Sequence, residues 1–185
     1  MSRRAVIVVL ALVLLQAGAV LIYLRVQRGR SASATPFSIE RLSGHDVAPS
    51  LELDHHDGRT LDLPGVTGKL RLVHFWATWC PPCRKELPGL LEFGRELNRT
   101  QGVELLAISV DQDWTAISAF FPGGIPPEVL KSRDRRVHTR YGVTTLPDTY
   151  LISPAGKLVL RFGSARDWTT AAAREAVTRE AKTWR

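Results

Sequence analysis

Short apolar runs alternate with amphipathic segments along the chain from residue 51 onward. The runs LRLVHFW and VELLAISV are apolar almost throughout, which is typical of strands that are covered on both faces. Four further runs are shorter, and two of them flank the turn signal Asp57-Gly58. The pattern therefore predicts strands at Leu51–Asp54, Thr60–Leu63, Leu70–Trp76, Val103–Val110, Asp148–Ser153 and Leu158–Phe162.

Between these strands, apolar residues recur at helical spacing. The segment from Pro81 to about Asn98 places four leucines on one face, and the C-terminal segment from Trp168 has a similar apolar stripe. Asp113 and Asp134 are positioned to cap two short helices. This order of elements predicts an α/β fold, with a mixed sheet and helices on both of its faces.

The N-terminus is different, because Ala5–Leu24 is an almost unbroken apolar run. A helix of this length extends about 30 Å, which matches the hydrocarbon thickness of a bilayer. We interpret the run as a transmembrane anchor, although Ala32-Ser33-Ala34 resembles the cleavage site of a secretory signal peptide. The predicted organisation is an anchor with basic flanks at residues 1–30, a tether at 31–47 and a folded domain at 48–185.

The formal net charge is +7, but its excess is concentrated beside the apolar run. Five arginines and no acidic residue lie among the first 30 residues, whereas the rest of the chain has 20 basic and 18 acidic residues. A basic flank beside an apolar helix favours anionic lipid headgroups, and a nearly neutral domain argues against nucleic-acid binding. The lipid bilayer is therefore a predicted partner.

The chain has two cysteines, Cys80 and Cys83, separated by two prolines between a predicted strand and a predicted helix. Cys80 is thereby placed at the helix N-cap, where the helix dipole lowers the pKa of a thiol from about 8.5 toward about 3.5–7.5. Pro81 and Pro82 lack backbone N–H groups, so the donor best placed for the Cys80 sulfur is the N–H of Cys83. We expect Cys80 to be the exposed attacking thiol and Cys83 the more buried resolving thiol.

A zinc site is the structural alternative for this cysteine pair. A closed zinc site needs four ligands, and the sequence has no second cysteine pair. Histidines would complete such a site only if the fold gathered them around the two sulfurs. The histidines are His45, His55, His56, His74 and His138. We therefore predict no metal.

Three motifs carry a resemblance to a known family: WATWCPPCRKELP at residues 76–88, Ala48-Pro49, and Thr145-Leu146-Pro147. Together they resemble the thioredoxin superfamily, and within it the membrane-anchored thiol–disulfide interchange proteins TlpA, ResA and DsbE/CcmG. The resemblance implies a thioredoxin-like fold with a cis peptide bond before Pro147, which exposes the backbone of Leu146 to a substrate chain. It also implies that Glu86 helps to tune the site.

His74 departs from the family pattern, because thioredoxins have a buried aspartate at this strand position and many anchored relatives have asparagine. Two interpretations are open. His74 relays a proton to Cys83, since the pKa of histidine lies near neutrality, or it is a buried and hydrogen-bonded structural residue. Asp148 and Ser153 also differ from the usual residues, which bears on the identity of the substrate.

The resemblance implies a reductase of protein disulfides that needs no cofactor beyond the Cys80–Cys83 disulfide. It implies an anchor in the cytoplasmic membrane, with the domain on the periplasmic or other extracytoplasmic side. Apocytochrome c is one possible substrate, and a membrane protein of the DsbD or CcdA kind is the implied electron donor. Around the catalytic cysteines, the predicted site-tuning residues are Glu86, His74, Trp79, Pro81 and Pro82, and the predicted substrate-binding residues are Thr145, Leu146 and Pro147.

Other functions are compatible with the same CxxC motif and the same predicted fold. An oxidant or isomerase would share the CxxC motif, whose sequence does not fix its reduction potential. A non-catalytic binding or assembly factor would keep the fold without needing the cysteines. A peroxidase would need a separate peroxidatic cysteine, and the sequence has no cysteine beyond the pair.

Overall fold

The computed structural model describes residues 15–21, 39–43, 46–63 and 68–184. The chain divides into two units, Met1–Phe37 and Ser38–Arg185. In the first unit, residues 15–21 form a helix within the predicted anchor, and the other anchor residues and the flanking arginines lie outside the described residues. None of the described helices is both long enough and apolar enough to cross a membrane.

The second unit is built on a mixed sheet with eight strands in the described part of the chain. They are β1 (Glu40–Arg41), β2 (Leu51–Asp54), β3 (Thr60–Leu63), β4 (Arg71–Trp76), β5 (Glu104–Ser109), β6 (Val129–Ser132), β7 (Asp148–Ile152) and β8 (Leu158–Gly163). Their order across the sheet is β1-β8-β7-β4-β5-β6-β2-β3. The β4–β5 and β5–β6 pairs are parallel and the others are antiparallel, which confirms the predicted mixed sheet.

Helices cover both faces of this sheet. They are α1 (Pro81–Gln101), α2 (Trp114–Phe120), α3 (Val137–Arg140) and α4 (Ala171–Thr183). Successive residues of a strand point to opposite faces. Phe75 of β4 packs on Tyr141 at the end of α3, whereas the next residue, Trp76, packs on Phe120 of α2. The predicted arrangement of the helices is therefore confirmed.

Strand β4 lies at the centre of the core, and all six of its residues are buried. Its neighbours are β5 on one side and β7 on the other. This position explains why the run LRLVHFW is apolar on both faces. It also places His74, one of the two polar residues of the run, in the interior of the protein.

Helix α1 extends one turn beyond its predicted end at Asn98. Gly102 ends it with a φ of 69°, and the N–H of Gly102 donates to the carbonyl oxygen of Asn98 at 3.1 Å. This left-handed conformation favours glycine. Gly94 brings the middle of the helix close to β5, because an added Cβ would lie 2.7 Å from the Cβ of Leu105. Both glycines therefore fix where α1 runs over the sheet.

The sequence pattern misses two strands and misplaces one cap. β6 follows Pro126-Pro127 closely, and these prolines obscure the short apolar run. β1 pairs with β8 from within the segment predicted as a tether. Asp134 does not cap α3: the N-cap is Arg136, which makes no side-chain cap bond, and Asp134 accepts the N–H of Arg136 in the preceding turn. Asp113 caps α2 as predicted, by accepting the N–H of Thr115.

Candidate active site

Cys80 is the N-cap residue of α1, directly after strand β4 and a short loop. Its backbone is extended, and its sulfur accepts a hydrogen bond from the N–H of Cys83 at 3.3 Å. Pro81 and Pro82 occupy the first two helical positions, where their missing N–H groups cost the helix no hydrogen bond. The predicted geometry at the start of the helix is thus confirmed.

The two cysteines form a disulfide, with 5.3 Å between their Cα atoms. Cys83 is fully buried, and Cys80 is 5% exposed. The predicted order of exposure is confirmed, but the description of Cys80 as an exposed residue is wrong for this oxidised state. Its sulfur is part of the disulfide, and Cys80 is one of the residues that line a groove.

The groove beside Cys80 has a volume of about 550 Å³ and a mainly apolar lining. Trp79 forms one wall and is 67% exposed, which is unusual for so large an apolar side chain. Thr145 and Leu146 also line the groove, and the bond between Leu146 and Pro147 is cis, as the resemblance implied. The structure therefore brings Cys80 together with the predicted substrate-binding loop in one open groove.

Asp111 holds the loop that leads to Cys80. Its carboxylate accepts the backbone N–H of Thr78 at 2.9 Å, the hydroxyl of Thr78 at 2.8 Å and the hydroxyl of Ser109 at 2.7 Å. Asp111 follows a strand end and could be expected to cap a helix, but here it holds this loop instead. Because Asp111 follows β5 and Thr78 follows the parallel neighbour β4, their meeting at one edge of the sheet is a signal that topology could have supplied.

His74 is fully buried, and its Nδ1 lies 2.9 Å from the hydroxyl oxygen of Thr149 on β7. Desolvation by burial lowers the pKa of His74 to about 3, so the ring is neutral at neutral pH. The assumption that its pKa lies near neutrality is therefore wrong. The interpretation of His74 as a buried, hydrogen-bonded strand residue is confirmed.

Glu86 lies on α1 three residues after Cys83 and is 8% exposed. Burial raises the pKa of its carboxyl to about 7, although the N–H of Arg166, which donates to Oε2, and a hydrogen bond with Trp168 act to lower it. Its carboxylate is therefore partly protonated at neutral pH. Glu86 also lines an open cavity of about 520 Å³ with Lys85 and Arg166, which gives the carboxyl a route to solvent outside the substrate groove.

Asp148 and Ser153, the two other departures from the family pattern, have structural partners. Asp148 is 1% exposed and forms an ion pair with Arg161 at 2.8 Å. Ser153 is fully buried, and its hydroxyl accepts the N–H of Lys157 in the β7–β8 turn. Neither residue lines the groove beside Cys80, so the suggestion that they bear on substrate identity finds no support in their positions.

Within the described ranges, no three histidine, cysteine, aspartate or glutamate side chains are grouped as a metal site would require. Both cysteine sulfurs are joined to each other, so neither is free to bind an ion. His56 packs edge-on against Trp114, and His45 lies outside the described residues.

Three further contacts of the site have no counterpart among the predicted site residues. Thr149 is the partner of His74, Arg166 is a partner of Glu86, and His138 lines the groove with Cys80. Arg166 lies 80 residues from Glu86 along the chain, and no local pattern connects the two. Thr149 faces His74 in the register between β4 and β7, which the sequence alone does not fix.

Comparison with known proteins finds a matching family and several thiol–disulfide oxidoreductases. The sequence profile of the AhpC/TSA family matches residues 45–161. The thiol–disulfide oxidoreductase ResA of Bacillus subtilis is 36% identical over 121 residues, which cover 65% of this chain and 67% of the relative. The ResA of Geobacillus thermodenitrificans is 34% identical over 113 residues, which cover 60% of this chain and 64% of the relative.

Solved structures show the same likeness. A crystal structure described as a thiol:disulfide interchange protein DsbE from Chlorobium tepidum has a TM-score of 0.61 and 26% identity, and the match covers 77% of this chain and 97% of that chain. StoA from Bacillus subtilis has a TM-score of 0.55 and 20% identity, over 74% of this chain and 98% of that chain. The second likeness supports the fold.

Proposed function

The chain belongs to the AhpC/TSA family and is a thiol–disulfide oxidoreductase, and from this premise we propose that it reduces protein disulfides through Cys80 and Cys83. One observation carries the proposal: Cys80 is the N-cap residue of α1 and also lines an open groove. A reduced Cys80 in this position is stabilised as a thiolate, because the N–H of Cys83 and the positive end of the helix are next to it.

The first step is attack by the Cys80 thiolate on a substrate disulfide. A bond forms between the sulfur of Cys80 and one substrate sulfur, and the substrate S–S bond breaks. The second substrate sulfur leaves as a thiolate and takes a proton from solvent. The product is a mixed disulfide, held in the groove between Trp79 and Leu146.

The second step releases the substrate. The thiol of Cys83 gives its proton to the carboxylate of Glu86, and the resulting thiolate attacks the sulfur of Cys80. The Cys80–Cys83 disulfide forms, the mixed disulfide breaks, and the substrate leaves as a thiolate that takes a proton from solvent. Residues three apart on a helix lie on the same face, with Cβ atoms about 5–6 Å apart, so Glu86 is on the Cys83 side of α1. A pKa of about 7 suits a base at neutral pH.

The groove suits an extended segment of a protein. Its lining is mainly apolar, and the family resemblance implies that the backbone of Leu146, in the groove lining, pairs with the substrate chain. The exposed ring of Trp79 would pack on the substrate beside its disulfide. We infer that recognition rests on the backbone and on apolar contact, which accommodates more than one sequence.

We place this activity outside the cytoplasm. The apolar run Ala5–Leu24 and its flanking arginines support an anchor in the cytoplasmic membrane. Disulfides persist in oxidising compartments, and each turnover leaves this enzyme oxidised, so it needs electrons from a membrane donor of the DsbD or CcdA kind. Apocytochrome c is the substrate that we propose, since the CxxCH site must be reduced before haem is attached.

The reduction potential of the Cys80–Cys83 pair tests the direction of the reaction. We expect the full chain, equilibrated in detergent against glutathione buffers, to have a potential below about −220 mV, in the range of reducing dithiols. The Cys83→Ala variant is the control, because it has no intramolecular couple. A potential above about −150 mV would contradict the reductase and favour the second candidate, an enzyme that donates its disulfide.

A further inference from the structure

Two buried polar atoms face each other behind the cysteines. The Nε2 atom of His74 and the Oε1 atom of Glu86 are 3.7 Å apart, and neither has a hydrogen-bond partner among the described residues. His74 is inaccessible to solvent, and Glu86 is almost so. Buried polar atoms without partners are costly and rare in native proteins. Two such atoms beside a redox centre therefore point to a role in its chemistry.

The contact on the other side of the His74 ring determines what Nε2 can do. The ring is neutral at neutral pH, so it carries one proton, on Nδ1 or on Nε2. Nδ1 faces the hydroxyl of Thr149, for which no other acceptor is found in the described part of the chain. A proton on Nδ1 would leave the buried hydroxyl hydrogen of Thr149 without an acceptor. If Thr149 donates to Nδ1, the ring proton lies on Nε2 and faces Glu86.

We propose that His74 is a positioning residue that donates its Nε2–H to the carboxylate of Glu86 and holds this base ready for the proton of Cys83. The inference rests on the proposed function, because that function makes Glu86 the proton acceptor. It differs from a relay through the ring. His74 keeps its proton throughout the cycle, and the proton of Cys83 ends on Glu86.

The separation of 3.7 Å is compatible with this role. It is about 0.8 Å longer than an ordinary N–H···O bond, and hydrogen bonds to charged acceptors are shorter than those to neutral ones. The contact should therefore tighten when Glu86 loses its proton. A bond that is stronger to the carboxylate than to the carboxylic acid favours the charged, basic form of Glu86.

Other groups lie beside Glu86 in the loop after β8 and on α1 itself, and Asp167 of that loop lines the same cavity as Glu86. Arg166 donates its backbone N–H to Oε2 and adds positive charge, and Trp168 also acts to lower the pKa of Glu86. From α1 itself, Lys85 lines the same cavity. The positive groups and the donors favour the carboxylate, whereas desolvation favours the acid and dominates. His74 is the group that approaches Oε1 from the sheet.

Carboxyl ¹³C NMR of the full chain in detergent, titrated with the disulfide intact, tests the proposal. We expect His74→Leu to raise the pKa of Glu86 by about one unit, a tenfold smaller acid dissociation constant, because it removes a hydrogen bond to a charged group. His74→Asn, which keeps a side-chain N–H donor, should restore part of the shift. His55→Leu is the matched control and should leave the pKa of Glu86 unchanged.

Two results would overturn the proposal. One is a Glu86 pKa in His74→Leu that is equal to or lower than that of the unchanged protein. The other comes from ¹⁵N shifts of the His74 ring in the unchanged protein, which need no variant to fold: a proton on Nδ1 would exclude donation from Nε2. The titration uses the oxidised protein and no substrate. A raised Glu86 pKa in His74→Leu would therefore support the role of His74 by itself. An unchanged rate of resolution by Cys83 in Glu86→Gln would instead contradict the proposed role of Glu86.

Discussion

Cys80→Ser is expected to abolish the reduction of protein disulfides, with a fall in turnover of about three orders of magnitude or more. The substitution removes the sulfur that accepts the N–H of Cys83 and leaves a hydroxyl that is not a nucleophile at neutral pH. We expect little change in the structure of the variant, because serine is a favoured N-cap residue and supports α1 in the same position. The measurement is the rate at which the pre-reduced protein reduces a disulfide-containing protein.

Cys83→Ala separates the two steps and is the matched control. Turnover should also be lost, but Cys80 still attacks, so a covalent adduct with the substrate should accumulate. Non-reducing gels and mass spectrometry of the adduct identify the linked cysteine and the trapped protein. Accumulation in Cys80→Ser and none in Cys83→Ala would reverse the assignment of the attacking and resolving thiols.

Glu86→Gln is expected to slow the resolving step by about 10²-fold at pH 7. The amide keeps an oxygen for the N–H of Arg166 but has no basic form that accepts a proton. In the unchanged protein, the resolving rate should rise with pH through about 7, where the Glu86 carboxylate forms. In the variant, this inflection should be absent and the rate should rise only near about 8.5, as Cys83 ionises without help. An inflection near pH 7 that persists in Glu86→Gln would rule out Glu86 as its source.

The same substitution should stabilise the oxidised protein at alkaline pH. The carboxyl of Glu86 has a pKa of about 7 in the folded state, against 4.5 for an exposed glutamate. The folded protein therefore binds the proton more tightly than the unfolded chain does, and the free energy of unfolding falls as pH rises from about 4.5 to 7. Glu86→Gln should recover up to about 3 kcal/mol at pH 8. Denaturant unfolding at pH 4 and pH 8 gives the comparison, and equal stabilities at pH 8 would mean that burial of Glu86 costs little.

Local chemistry explains why the cysteine site could be predicted from the sequence. The N-cap position of Cys80 and the donor role of the Cys83 N–H follow from a strand, a turn and two prolines that lie next to each other in the chain. The cis bond before Pro147 came from the family resemblance and not from any local pattern. The long apolar strands could also be predicted, because burial on both faces leaves a continuous pattern.

The environments of His74 and Glu86 could not be predicted from local sequence in this way. The pKa of His74 depends on complete burial, and the pKa of Glu86 depends on burial and on Arg166, a residue distant in the chain. Tertiary packing sets both, and only the relay alternative for His74 depended on the reference pKa of histidine. Asp148 illustrates the same limit, since its ion-pair partner Arg161 is known only once β7 and β8 are paired.

The central claim is that the start of α1 makes Cys80 a reactive thiolate. The most direct measurement is the rate of alkylation of Cys80 in the reduced full chain as a function of pH, with Cys83→Ala used to isolate the single thiol. We expect Cys80 to react as a thiolate with an inflection well below about 8.5, the value for an ordinary cysteine. An inflection at or above that value would contradict the account.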